Sequence, residues 1–93
     1  MYLHLGQDTV VNMDEIVGIF DLDTSTVSKF TRDYLAKAEK NGWVVNVSFD
    51  LPKSFIVCRD KEDNTQVYIS PISSATLLKR TNYVNSISTI KKK

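Results

Sequence analysis

The single histidine and the single cysteine of this 93-residue sequence are the first residues to weigh for chemistry. His4 alternates with Tyr2 in the segment YLHL, which predicts a half-buried strand position rather than a general base or metal ligand. Cys58 lies in the apolar segment FIVCR, where a thiol packs as a small hydrophobic group. One cysteine also cannot form an internal disulfide or a structural zinc site alone. We therefore expect both side chains to be structural and the protein not to be an enzyme.

The acidic residues and the glycines lack the spacing of catalytic or ligand-binding motifs. The loop DKEDN at 60–64 lacks the pattern and the terminal glutamate of a helix–loop–helix calcium site. The three glycines are too far apart in the sequence for a phosphate-binding loop. The sequence thus predicts no cofactor and no metal site. The carboxylates are instead expected at turns and helix caps: Asp14 with Glu15, Asp21 with Asp23, and Asp60 with Glu62 and Asp63.

Basic side chains are concentrated in the second part of the chain. Residues 1–27 carry five acidic and no basic groups, and all 12 Lys and Arg residues follow, although the net charge is only +1. This asymmetry predicts contact with an anionic partner or association of unlike faces, the alternative being a solvated surface and a solubilising tail. Cations on turns and helix ends can neutralise phosphates without reading bases. The candidate DNA contacts are Lys53, Arg59, Lys79, Arg80, Lys91, Lys92 and Lys93.

The elements that position these residues are predicted to form a small, β-rich α+β domain. A main helix is expected over about 24–40, capped within Asp23–Ser25 and stopped at Asn41–Gly42. A short C-terminal helix over Ala75–Arg80 follows the capping pair Ser73–Ser74. We expect one domain over 1–84 and a basic, flexible tail over 85–93. Six short strands are predicted, at Tyr2–Leu5, Thr9–Met13, Ile16–Phe20, Trp43–Phe49, Ser54–Arg59 and Thr65–Ser70.

The predicted apolar surface is larger than one helix can cover. The segment IVGIF at 16–20 is apolar at successive positions, which predicts a strand covered on both faces, with Gly18 at a bulge or close approach. Alternation also places Trp43, Val45, Val47 and Phe49 on one face of their strand. The surplus apolar surface predicts a homo-oligomer. The buried stripe of the main helix is expected to be Val27, Phe30, Tyr34, Leu35 and Ala38.

The predicted compartment is the cytoplasm. No run of the sequence approaches 18 apolar residues, so no membrane span is expected. The opening MYLHLGQD has neither a basic nor an apolar signal region. A single cysteine is typical of a protein in a reducing environment.

Four ordered blocks of residues give the chain a resemblance to a bacterial family. The blocks are MYLHLG, TVVNMDEIVGIFD, NGWVVNVSF and VYISPISSATLLKR, and they extend over about residues 1–84. In this order they resemble the extracellular matrix regulatory (Rem) family. The resemblance implies a cytoplasmic regulator of genes for biofilm matrix, with a fold reminiscent of LytTR DNA-binding domains. It also implies ring-shaped homo-oligomers that bind DNA through surface arginines.

The resemblance also exposes a departure at the implied DNA contacts. Glu15 stands where related chains place an arginine, and Leu51-Pro52, followed by Lys53, stand where they place an adjacent arginine pair. Losing such phosphate contacts lowers DNA affinity steeply, and one lysine replaces two guanidinium groups poorly. Two hypotheses stay open: an oligomeric transcription regulator that binds DNA weakly, and an oligomeric protein-interaction partner without direct DNA contact.

Overall fold

Six strands, two α-helices and one 3-10 turn make up the part of the chain that the computed structural model describes, residues 1–22 and 28–81. The 3-10 turn spans Met13–Glu15, helix α1 spans Lys29–Lys40, and helix α2 covers 74–81. This confirms the predicted α+β class. The strands are β1 (Tyr2–Gly6), β2 (Thr9–Asn12), β3 (Ile16–Asp21), β4 (Val44–Asn46), β5 (Ser54–Arg59) and β6 (Thr65–Ser70).

The centre of the fold is a four-stranded sheet with the order β3-β5-β6-β4. The pairs β3–β5 and β5–β6 are antiparallel, whereas β4 and β6 run parallel. Helix α1 lies between β3 and β4 in the sequence, so the connection crosses from one sheet edge to the other. The side chains from Ser54 to Cys58 are all buried, as expected for a strand covered on both faces.

Consecutive residues of β5 point into two separate hydrophobic clusters, because strand side chains alternate between faces. Ile56 and Cys58 pack with Leu3 and Leu5 of the β1–β2 hairpin and with Leu77 of α2. On the opposite face, residues of β5 and β6 pack against α1. That second cluster contains Phe55, Val57, Val67 and Ala38, with Tyr34 and Leu35 partly buried against it.

Two buried serines fix the hairpin side of the sheet. Ser54 and Ser70 face each other across the β5–β6 pairing. The hydroxyl of Ser70 donates to the carbonyl of Leu5 at 2.6 Å, and that of Ser54 donates to the carbonyl of Ile72 at 2.7 Å. A buried carbonyl without a partner is costly, so the Ser70 bond fixes the hairpin on the sheet and the Ser54 bond fixes the segment that follows β6.

Several boundaries predicted from the sequence match the structure. The strands Ser54–Arg59 and Thr65–Ser70 are confirmed without change, and the first two strands form the expected hairpin. Gly42 has the positive φ, +74°, expected of the residue that ends α1. The predicted helix positions 24–27, including Val27, lie outside the described residues, as does the tail at 85–93.

The predicted strand Trp43–Phe49 is too long. Strand β4 ends at Asn46, and the amide of Val47 then donates to the carbonyl of Ile69 at 3.0 Å. The hydroxyl of Ser48 accepts from the amide of Asp50, which turns the chain away from the sheet. Phe49 therefore projects fully into solvent instead of joining the core face.

The predictions for β3 and for one helix position are also wrong. Val17 is 63% exposed and Phe30 is 86% exposed, although the sequence pattern predicts that both are covered. The reason is the strand order: β3 lies at the sheet edge, while the buried residues of α1 pack over β5 and β6. The α1-facing side of β3 is consequently left half open.

Candidate nucleic-acid interface and apolar groove

Lys53 is exposed, and both its backbone amide and its backbone carbonyl are hydrogen-bonded. Its amide donates to the carbonyl of Ser70 at 2.9 Å, and its carbonyl accepts from the amide of Leu22 at 3.0 Å. The neighbours Leu51 and Pro52 are exposed as well. The positions that the resemblance assigns to an arginine pair thus lie on the surface, immediately before this lysine.

Arg80 lies on α2 and reaches the β1–β2 hairpin. Its guanidinium Nη1 donates to the carbonyl of His4 at 3.4 Å, a long contact. The next residue, Leu5, accepts the hydroxyl of Ser70, whose carbonyl accepts the amide of Lys53. A short path of bonded residues therefore connects Arg80 to Lys53, and the exposed Lys79 adjoins Arg80.

Arg59 lies apart from that pair. It ends β5, whereas Lys53 immediately precedes the strand, so roughly 17–20 Å separate them at about 3.3 Å per residue. Glu15 belongs to the Arg59 end, because the residue after it, Ile16, pairs with Cys58. The predicted DNA contacts thus do not form one cluster, and Lys91, Lys92 and Lys93 lie outside the described residues.

His4 and Cys58 occupy different environments. The exposed His4 ring contacts the carbonyl of Gln7 through Nε2 at 2.6 Å, which braces the β1–β2 turn. Cys58 is buried, and burial, with a smaller contribution from the charge of Glu15, raises the pKa of its thiol to about 11. With this raised pKa, the thiol of Cys58 is protonated at neutral pH. It is therefore unreactive, because the thiolate is the nucleophilic form.

The acidic loop after β5 is organised around Asp60. Its carboxylate accepts hydrogen bonds from the amides of Glu62 and Asn64 at 2.8 and 2.9 Å. The bonds from Asn64 are the main reason why the pKa of Asp60 is lowered. These bonds close a turn, as the sequence predicts. Across residues 1–22 and 28–81, no three His, Cys, Asp or Glu side chains gather as a metal site.

An apolar groove of about 380 Å³ opens between α1 and the edge of the sheet. The rings of Phe20 and Phe55 stack in it, with centroids 4.9 Å apart. Gly18 lets the Phe20 ring fold back, because a Cβ at that position would lie 2.6 Å from the ring. We call this surface the groove; it is lined by Val17, Phe20, Phe30, Thr31, Tyr34, Phe55, Val57 and Arg59.

Residues 48–52 form a second apolar feature, here called the 48–52 loop. Phe49 is fully exposed and Leu51 is 80% exposed, with the exposed Asp50 between them. The backbone is anchored before the loop by Val47 and after it by Lys53. Neither apolar feature is predicted from the sequence, although the excess of apolar residues in IVGIF is a signal for the groove.

Comparison with known proteins shows to which family the chain belongs. A RemA-like family model, described as extracellular matrix regulatory protein A-like, matches residues 2–81. The chain belongs to the RemA-like family. Extracellular matrix regulatory protein B of Bacillus subtilis (strain 168) is 39% identical over 87 residues, which cover 94% of this chain and 98% of that protein.

Membership in the RemA-like family confirms the resemblance carried by the four sequence blocks. In this RemA-like chain, an apolar loop directly precedes Lys53 on the surface. None of the helices in the described ranges is long and apolar enough to cross a membrane.

Proposed function

We propose that this protein is a cytoplasmic regulator of extracellular matrix gene expression that works as a homo-oligomer and contacts DNA. The observation that carries the regulatory role is the near full-length match to a matrix regulatory protein. As a regulator rather than an enzyme, it would depend on its surfaces. The protonated thiol of Cys58 agrees with a structural role for that residue.

The DNA contact is proposed to centre on Lys53, Lys79 and Arg80. All three are exposed, and the bonded path through Ser70 and Leu5 connects Lys53 with Arg80. Such cations bind phosphates by charge neutralisation, and removing one of them also lowers the salt dependence of binding. The set predicted from the sequence also includes Arg59, which lies at the other end of β5, and the lysines at 91–93, which lie outside the described residues.

Electrophoretic mobility shifts with promoter fragments, at roughly 50 and 200 mM salt, test this contact. We expect a shift at low salt that weakens steeply at the higher salt. The double substitution Lys53→Glu with Arg80→Glu should abolish the shift without changing the oligomer mass. The matched control is Lys37→Glu with Lys61→Glu, which changes the net charge by the same amount at two exposed lysines outside the proposed contact and should leave the shift intact.

Two outcomes would reject the DNA contact as proposed. An unchanged shift in the Lys53→Glu, Arg80→Glu variant would reject the residue assignment. The absence of any shift at low salt with micromolar protein would reject DNA binding itself. That second result would favour an oligomeric protein-interaction partner, a role supported by the exposed Phe49 and Leu51 beside Lys53.

The homo-oligomer is supported by apolar surface that the described chain leaves open. Val17 and Phe30 line the groove and are mostly exposed, and β3 is an edge strand. Contiguous apolar surface and unpaired strand edges are typical of surfaces that another chain covers.

A further inference from the structure

We propose that the 48–52 loop of one copy seats in the groove of the next copy. This inference rests on the proposed homo-oligomer and assigns the two surfaces that would meet. Both are exposed in the single chain, and both are rich in aromatic or large aliphatic side chains. Their burial against each other would remove Phe30, Phe49 and Leu51 from water, which are the most exposed large apolar side chains among the described residues.

The loop and the groove are both mainly apolar, and each has one charged side chain of opposite sign to that of the other. Phe49 and Leu51 flank one carboxylate, that of Asp50. The groove is apolar apart from Thr31 and the Tyr34 hydroxyl, and it has one cationic lining residue, Arg59. Seating the loop would place Asp50 against Arg59 of the neighbouring copy, which fixes the orientation of the contact. Arg59 would then serve assembly rather than DNA contact.

The loop is pre-organised for such a contact. Ser48 is bonded to the amide of Asp50 at 3.0 Å and also accepts the side chain of Gln7 at 3.4 Å. Val47 and Lys53 are each bonded to β6 through the backbone. A loop that is already ordered loses less conformational entropy on binding than a flexible one.

The contact is between unlike surfaces, which determines the kind of assembly. Phe49 is fully exposed, so the loop does not occupy the groove of its own chain. A loop-to-groove contact leaves one free loop and one free groove at the ends of every open chain of copies. Repeating it generates a closed ring or a filament, and a reciprocal exchange of loops between two copies closes it as a two-fold dimer.

A second copy fits the groove better than the alternatives. The segment 82–93 has three lysines and no acidic residue, so Arg59 would repel rather than attract its charged end. A small apolar ligand would be poorly enclosed, because Phe30 on the groove wall is 86% exposed.

A mixing experiment with two variants of the full chain tests the proposal. The loop variant carries Phe49→Ser and Leu51→Ser, and the groove variant carries Val17→Ser and Phe30→Ser. All four residues are largely exposed, so we expect both variants to fold; circular dichroism checks this. By native mass spectrometry, each variant alone should have the monomer mass of 10.6 kDa. An equimolar mixture should give one loop variant bound to one groove variant and nothing larger.

The remaining results of this experiment would separate a failure of the loop-to-groove contact from a failure of the homo-oligomer. A wild-type oligomer whose loop variant assembles unchanged would overturn the loop-to-groove contact and leave the homo-oligomer standing. A monomeric wild type would overturn both. A mixture that stays monomeric while the wild type assembles would also overturn the inference. Removal of residues 82–93 that abolishes assembly, with the loop variant unaffected, would assign the contact to that segment.

A charge exchange provides an independent variant. Asp50→Arg and Arg59→Asp alone should each weaken assembly roughly two- to fivefold, the range for an exposed ion pair. The double exchange should restore the wild-type dissociation constant. Additive weakening in the double variant would reject the Asp50–Arg59 pairing.

Discussion

The thiol of Cys58 lies on the hairpin side of β5, in the same cluster as Leu3 and Ile56. Its buried environment favours the neutral form, so the pKa of the thiol is raised from 9.0 to about 11. At the residue scale, the one cysteine of the chain is thus a packing group whose charge state is coupled to folding.

Replacing Cys58 by valine should remove part of the alkaline sensitivity of folding. The unfolded chain releases the thiol proton near pH 9, whereas the folded chain holds it until about pH 11. The free energy of unfolding should therefore be unaffected by this group below pH 9 and fall between pH 9 and 11. Urea unfolding across that window should show a steeper fall for the wild type than for Cys58→Val.

Tyr68 titrates in the same range and contributes to that comparison. Burial raises the pKa of Tyr68, and the charge of Cys58 raises it further, so Tyr68 adds a fall of the same sign in both proteins that is smaller in Cys58→Val. If wild type and Cys58→Val lose stability in parallel above pH 9, the buried thiol is not coupled to folding as described.

Gly18 is a second residue whose small size matters. In Gly18→Ala, the new Cβ would push the Phe20 ring off Phe55, because it would lie 2.6 Å from that ring. We expect a loss of about 1 kcal/mol, at the low end for overpacking because an exposed ring can move. The loss should nearly vanish when Phe20→Ala is already present. Thermal unfolding of the two single variants and the double variant measures this, and additive losses would contradict the contact.

At the scale of elements, Ser70 ties the β1–β2 hairpin to the sheet. Its buried hydroxyl donates to the carbonyl of Leu5 and accepts the amide of Ile72. The same serine lies on the bonded path between Lys53 and Arg80. The position of the hairpin thus determines where Arg80 finds the His4 carbonyl, whereas Lys53 is held by Ser70 of β6 and by Leu22.

Substituting Ser70→Ala should loosen the hairpin before it unfolds the domain. The substitution leaves the buried Leu5 carbonyl without its donor, which costs about 1–3 kcal/mol. Relative to the wild type, amide hydrogen exchange in Ser70→Ala should accelerate more in β1 and β2 than in β5. The matched control is Ser73→Ala, which removes the cap bond to the Thr76 amide and should affect α2 locally. Equal acceleration in β5 would contradict a local role for Ser70.

Strong local patterns make some elements predictable. Both strands of the β5–β6 hairpin are predicted with their observed bounds, because alternation and turn residues coincide there. The end of β4 is not predicted correctly, because the hydrogen bond from the Val47 amide to the Ile69 carbonyl and the turn at Ser48 depend on tertiary structure. The prediction for Phe30 is wrong since a helical stripe does not reveal how much of the sheet the helix covers.

At the scale of the whole molecule, function is proposed to arise from surfaces that one chain leaves open. Lys53 and Arg80 are each predicted from the sequence, but their connection through Ser70 and Leu5 depends on how the hairpin docks. The separation of Arg59 from them follows from the length of β5. The groove requires the strand order, which the sequence pattern alone does not determine.

Sedimentation equilibrium of the full chain over the micromolar range tests self-association most directly. We expect a mass that is a whole-number multiple of 10.6 kDa and that persists at the salt concentrations of the mobility-shift measurements. A well-folded protein that sediments at 10.6 kDa throughout would contradict the homo-oligomer, and with it the loop-to-groove contact.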